Sequence, residues 1–351
     1  MLKRILRILG IVIGVIFLLV IALVVFLSVT EYKPADRQTA DRINGASYGN
    51  EAGGTVTIYT WNIGYGGLGK ESDFFMDGGE MVDPPSQETV EKNLAGIERF
   101  IQDNPADAWL LQEVDVNSAR TGGVDEFDRL HDVVSSNAAF AYNYKCPFVP
   151  IPLPPMGRVE SGIATLSERF IAEDAERVSL PCPFSWPVRA AQIKRCLLIT
   201  RMPVEGTDKE LVLVNLHLEA YDDGEGKIAQ TKLLMEVLQQ EYARGNYVIA
   251  GGDFNQTFPG GLDTFPVKDP EKWTPGVLEG SILPDGWQFA ADVDSATCRL
   301  LDQPYCDACQ LYVIDGFILS PNVQLQEVQT VELDFEYSDH NPVRLLVELT
   351  R

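Results

Sequence analysis

Two patterns of apolar and polar positions divide the chain. Residues 8–29 are apolar or small and carry no charge. At 1.5 Å per residue such a run can cross the hydrocarbon layer of a bilayer, which takes about 20 helical residues. Lys3, Arg4 and Arg7 precede it. A cleaved secretory signal has a shorter apolar core and a small-x-small site, which Ser28-Val29-Thr30 does not supply. The run is therefore expected to stay as a transmembrane anchor. The positive-inside rule puts residues 1–7 in the cytoplasm and the rest of the chain outside. Residues 30–54 are polar, glycine-punctuated and aperiodic, and read as a flexible tether with ends roughly 25–30 Å apart.

From Thr55 the pattern becomes regular. Thr55-Val56-Thr57-Ile58-Tyr59-Thr60-Trp61 alternates with the period of a strand. Ser86 can cap a helix that carries Val90, Leu94, Ile97 and Ile101 on one face. Further strands are predicted at 107–114, 162–166, 192–200, 211–218, 247–250, 311–319 and 343–349. A second helix is predicted at 227–242, and a shorter one at 127–135 carries His131 as an ordinary surface residue. Strands outnumber helices, and neither GxGxxG nor a P-loop occurs. The expected fold is α/β, a four-layered sandwich of two packed β-sheets flanked by helices, in one domain over 55–351. Two long loops stand out. Residues 64–83 carry Phe74-Phe75-Met76, and the proline-rich 146–155 favours extended polyproline-like backbone.

Charge changes this picture more than composition does. The 351 residues are 45% hydrophobic, enough for a sizeable core, but the net charge is -23. Such a surface repels polyanions unless metal ions or a local basic patch intervene, which weakens a nucleic-acid reading. The six cysteines are an even set, compatible with disulfides outside the cytoplasm. Cys306-x-x-Cys309 with Cys298 has no histidine or second CxxC nearby, so a disulfide-bearing loop is expected there rather than zinc.

The candidate chemistry lies at strand ends. Asp253 and Asn255 follow the buried run Tyr247-Val248-Ile249-Ala250 through two glycines. On extended backbone, i and i+2 project to the same side. One can activate a water while the other holds an anionic oxygen. Asp339-His340 adds a carboxylate beside one of only three histidines. Asp315 sits inside an apolar strand, where a carboxylate needs a partner. Trp61-Asn62, Gln112-Glu113 and Asn215-Leu216-His217-Leu218 place further polar groups near strand ends. Each has a plainer alternative: Asn62 as a turn residue, Glu113 as a surface acid, His217 as a satisfied core histidine.

In order, Trp61-Asn62, Gln112-Glu113, Ser161-Gly162-Ile163-Ala164, Asn215-Leu216-His217-Leu218, Gly252-Asp253-Phe254-Asn255, Ile314-Asp315 and Ser338-Asp339-His340 resemble the endonuclease/exonuclease/phosphatase superfamily. That group includes pancreatic deoxyribonuclease, neutral sphingomyelinases and inositol polyphosphate 5-phosphatases. The resemblance implies Asn62 and Glu113 at Mg²⁺, or Mn²⁺, with Asp339 near the metal. It implies Asp253 orienting the attacking water and Asn255 donating to a phosphate oxygen. His340, held by Asp315, would bind or protonate the phosphoryl group, and His217 would stabilise the transition state and protonate the leaving oxygen. Glu160 is the candidate acid to orient His217. Three readings follow: a membrane-anchored, extracytoplasmic phosphoester hydrolase acting on a lipid headgroup or small phosphoester, an extracellular nuclease, or a non-catalytic binding module.

Overall fold

The computed structural model describes every residue except 1, 46–50, 135–136, 168, 170–173, 223 and 351. Two seven-stranded sheets lie face to face. One runs in the order Val323–Thr330, Val343–Leu349, Thr55–Asn62, Ala108–Asp115, Gly157–Ser167, Asn137–Val149, Arg42–Asn44. The other runs Arg37–Thr39, Glu176–Ser179, Cys196–Pro203, Glu210–His217, Tyr247–Asp253, Asp315–Leu319, Gln288–Ala290. Helices Gln87–Asp103 and Glu126–Val134 cover the outer face of the first sheet, and Glu225–Ala243 covers the second. This is the expected four-layered sandwich.

Period-two alternation explains the layering. Val56, Ile58, Ala108, Leu110, Leu213 and Ile249 point between the sheets. Their neighbours Tyr59, Trp61, Trp109 and Leu111 point outward against Val90, Leu94, Ile97 and Ile101 of the first covering helix. That helix starts where expected, with Ser86 Oγ accepting from the Thr89 N–H at 3.0 Å. Each fully buried Val, Leu or Ile contributes about 1.5–3 kcal/mol.

Polar side chains interrupt the apolar interior: Thr60, Thr165 and Thr200 and, bridging the two sheets, the amides of Gln112 and Asn215. Gln112 and Asn215 are fully buried. Gln112 Nε2 donates to Asn215 Oδ1 at 2.8 Å, and Asn215 Nδ2 donates to the carbonyls of Leu111 at 3.1 Å and Ala164 at 2.8 Å. Asn215 belongs to one sheet and these partners to the other, so the bonds cross the core and set how the layers face each other.

Several expectations need correction. Residues 30–54 are not a free tether. Arg37–Thr39 pairs with Glu176–Ser179 and Arg42–Asn44 with Asn137–Val149, closing one edge of each sheet. Edge pairing of three residues is carried by backbone hydrogen bonds and leaves no hydrophobic period to read. Residues 46–50 of that stretch lie outside the described residues. All six cysteines are free thiols, so the disulfide-bearing loop is not formed; Cys306 and Cys309 approach to 3.4 Å between sulfurs. Cys146, Cys196 and Cys298 instead pack in apolar clusters as small hydrophobes. The 311–319 run breaks in two: Leu311–Tyr312 pairs with Cys298–Arg299, and Asp315–Leu319 joins the large sheet. Strand Asn137–Val149 extends into the stretch expected as a polyproline-like loop.

Replacing Asn215 with Leu breaks the bridge from Gln112 and removes the side-chain donor from the Leu111 and Ala164 carbonyls. Chemical denaturation should show a loss of about 2–5 kcal/mol.

Candidate active site

The same alternation that fills the core builds the site. Leu211, Leu213 and Asn215 face inward, and continuing the period brings His217 inward at the strand's end. Tyr247, Ile249 and then Asp253 follow the same rule, as do Leu319, Phe317 and Asp315 read backwards. The registers align these three: Asp253 pairs with His217 on one side and with Asp315 on the other. They form one row across the sheet end. Gly252 keeps that row tight, because a Cβ there would collide with the Leu216 carbonyl of the next strand.

The opposing sheet supplies the facing groups. Asn62 ends its strand on the inward parity. Pairing of Ala108–Asp115 with Gly157–Ser167 shifts register between Leu111 and Val114, a bulge that contains Gln112 and Glu113. Gln112 stays in the inter-sheet network while Glu113, at φ 55°, lines the cleft. Asn255 is also left-handed at φ 50°. Backbone held this way by non-glycine residues is characteristic of sites that need an exact side-chain direction. The loop with Asp339 and His340 is tied down by Trp61 Nε1 donating to the His340 carbonyl at 2.8 Å and Ser338 Oγ donating to the Asn62 carbonyl at 2.7 Å.

Asp253 Oδ2 is the hub. Asn62 Nδ2 lies 3.1 Å from it, His217 Nε2 3.4 Å and His340 Nε2 3.8 Å. Its other oxygen accepts from the Asn255 N–H at 2.8 Å. His340 Nδ1 meets Asp315 Oδ2 at 2.8 Å, so the partner Asp315 requires is His340. Asn62 Nδ2 also reaches Glu113 Oε1 at 3.2 Å. Asn255 Nδ2 donates to the Leu218 carbonyl at 2.9 Å, which leaves one of its two N–H groups for a ligand. Seven of the eight expected residues line one cleft; Asp315 sits behind His340, fully buried.

Electrostatics separates the two histidines. Burial disfavours charge on His340, but Asp315, with Cys298 and Asp339 near, outweighs it and holds the imidazolium well above its usual range. Burial, then Arg195 and His340, push His217 well below it, so His217 is neutral at pH 7. Burial and the charge on Asp315 raise Asp253 to about 6. Burial, with Glu113 adding to it, raises Asp339 to about 7. Glu113 itself is raised by burial. Carboxyls pressed upward by burial and by one another are the surroundings that a divalent cation relieves. Among the described residues, Asp253, Asp315 and His340 place possible ligand atoms within 4.8 Å of one another. This group differs from the expected Asn62, Glu113 and Asp339, and the Asp315–His340 hydrogen bond accounts for much of it.

Some neighbours were not foreseen. Glu160 does not orient His217: its carboxylate faces Asn117 and Tyr142, both at 3.4 Å, and His217 Nδ1 is buried without a partner. Arg195 lines the cleft, buried, with its carbonyl-facing contact to His217 O at 3.4 Å. Arg120 is held against Asp115 by two hydrogen bonds of 3.0 and 2.9 Å and lies over the Tyr65 ring at 3.4 Å. In sequence both are isolated arginines without a motif.

The family's sequence model, described as the Endonuclease/Exonuclease/phosphatase family, matches residues 59–340, from the first strand to His340. The chain belongs to that family. No curated protein matches it. An endonuclease/exonuclease/phosphatase from Beutenbergia cavernae is similar at 17% identity, with 84% of this chain and 72% of that chain covered and a TM-score of 0.55. One from Bacteroides vulgatus is similar at 16% identity, 84% and 99% covered, TM-score 0.54. One from Bacteroides thetaiotaomicron is similar at 12% identity, 85% and 98% covered, TM-score 0.53. At these identities the likeness to solved structures is one of fold. Members of the endonuclease/exonuclease/phosphatase family are generally phosphoester hydrolases that depend on divalent metal, and the acidic cleft of this member suits such an ion.

The two buried histidines give a direct check. In metal-free protein, imidazole NMR titration should find His340 protonated well above pH 6.5 and His217 neutral well below it. Asp315→Asn should bring the His340 midpoint down. Stability supplied by the His340–Asp315 pair is full below the unfolded histidine pKa and lost as pH rises through the folded one. A His340 midpoint unmoved by Asp315→Asn would contradict the assignment.

Proposed function

We propose that the protein is a membrane-anchored, extracytoplasmic, Mg²⁺-dependent phosphoester hydrolase. The observation that carries the reading is the Asp253 hub, where one carboxylate oxygen faces Asn62, a neutral histidine and a charged histidine inside a buried cleft. Asp253, with its pKa near 6 and one oxygen tied to the Asn255 N–H, is mostly ionised at neutral pH and can accept a proton from an attacking water. His340, charged and steered by Asp315, stabilises the phosphoryl oxygens. Asn255 offers its remaining N–H to a non-bridging oxygen.

His217, being neutral, donates a hydrogen bond to the developing pentavalent centre, and His340, which holds the proton, can supply it to the leaving oxygen. Asn62 and Glu113 would hold Mg²⁺ or Mn²⁺, with Asp339 beside it, and the ion when bound supplies charge neutralisation at the phosphoryl group. Positioning and electrostatics do most of the work in such a site.

The apolar helix Leu2–Thr30, with mean hydropathy 3.5 over its most apolar window, supports membrane anchoring, and Lys3, Arg4 and Arg7 support a cytoplasmic N-terminus. The acidity of the chain favours a lipid headgroup or small phosphoester over a nucleic acid.

Full-length protein should turn over an artificial phosphodiester with Mg²⁺ and stop with chelator. Mg²⁺ should also raise the melting temperature, since it binds only the folded cleft. Asp253→Asn should lower kcat by about 10² to 10⁴. Phospholipid vesicles, plasmid DNA and phosphomonoesters compared side by side decide the substrate class. Cleavage of DNA with untouched vesicles would replace the lipid reading by a nuclease, and turnover insensitive to chelator would remove the metal.

A further inference from the structure

The anchor helix does not leave the domain as a free stalk. Leu23, Val24, Leu27 and Ser28 share one side of its last two turns. Leu27 is buried in a cluster with Cys146, Val149, Met156 and Ala190, and Leu23 packs on that cluster. Ser28 Oγ accepts from the Trp186 indole N–H at 2.9 Å. One residue past the helix, the Glu31 carboxylate is 3% exposed and meets Arg189 at 2.9 Å and Lys194 at 3.7 Å. Burial alone would raise its pKa, yet these cations hold it below the usual range. Charge pairing and apolar packing together lock the helix end to the domain.

That helix end is also a wall of the catalytic cleft. One continuous cavity of about 600 Å³ runs from Asp253, His217 and His340 to Leu23, Val24 and Leu27. The lining is mostly apolar, with Phe74, Phe75, Val149 and Leu301, and also includes Arg120, Asn143 and Gln192. A phosphate and an ion occupy only the polar end, and the volume suits a ligand of drug size or larger. Around the helix exit, Ile151, Leu153, Trp186 and Val188 are 72%, 86%, 59% and 57% exposed. Counting about 20 residues for the hydrocarbon layer from Ile8, the first position after Arg7, puts its outer edge near Leu27. The cleft's apolar arm and this collar therefore sit at the height of the outer-leaflet headgroups, where Trp is favoured.

We infer that the substrate is a membrane phospholipid whose acyl chain lies in the apolar arm against Leu23, Val24 and Leu27 while its phosphate reaches Asp253. The anchor is then part of the substrate site and sets chain selectivity. The inference rests on the phosphoester reading for its polar end and on membrane anchoring for its source of ligand.

The test needs no turnover. Full-length protein carrying Asp253→Asn, in phosphatidylcholine nanodiscs, is titrated calorimetrically with methyl, butyl and octyl phosphate, with empty nanodiscs subtracted. Affinity should tighten by about fourfold for each methylene that enters the arm. Val24→Trp and Leu27→Trp, which fill the arm from the helix, should flatten the series. Val25→Trp, on the exposed side of the helix, should keep it steep. If Leu27→Trp fails to fold, the half-buried Val24 position carries the comparison. An affinity independent of chain length, or a series equally steep in Val24→Trp, overturns the inference. A steep series in a protein whose wild type hydrolyses nothing would refute the hydrolase reading and keep the lipid site, whereas an active enzyme with a flat series would do the reverse.

Discussion

Three hydrogen bonds from the Gln112 and Asn215 amides cross the mostly apolar layer between the sheets, and the rest of the molecule depends on them. Sheets packed through aliphatic side chains alone can slide at little cost, because dispersion and burial are not directional. Buried amides cannot slide without orphaning donors and acceptors. One residue beyond Gln112 stands Glu113, and two beyond Asn215 stands His217. A network that fixes the register of the layers therefore also fixes the distance across the cleft.

The site is where the inward face of the sandwich stops being apolar. Asn62, His217, Asp253 and Asp315 occupy core-facing parities at strand ends, so charge on His217 or Asp253 is formed in a medium that resists it. The consequences differ by partner. His340 has Asp315 against it and keeps its proton; His217 has Arg195 nearby and loses its own. Left-handed backbone at Glu113 and Asn255 adds local strain that the surrounding strands hold in place. Poised charges and constrained backbone at one end are tolerated because the remaining core is well packed.

The acidic surface and the N-terminal helix both bear on the cleft. A chain of net charge -23 disfavours polyanions in solution, and the end of the helix Leu2–Thr30 lines one side of the cleft. The strands Arg37–Thr39 and Arg42–Asn44 make that docking firm, since the segment after the helix is stitched to one edge of each sheet.

By itself the sequence determined the layers and pointed to the residues that line the cleft. Period-two strands from Thr55 onward, the Ser86-capped helix and polar groups at strand ends were all readable, because each is a local pattern within a dozen residues. Asp253, Asn255, Asp315 and His340 were identifiable because polar groups in buried runs have few other reasons to be there. The tertiary structure decided what depends on distant partners. It made Gln112 and Asn215 bridges between the sheets, turned Glu160 away from His217, and brought the isolated Arg120 and Arg195 to the cleft. It also turned an aperiodic tether into sheet edges and brought the end of the N-terminal apolar helix to the wall of the cleft. Those outcomes rest on contacts between residues far apart in the chain, and no local period records them.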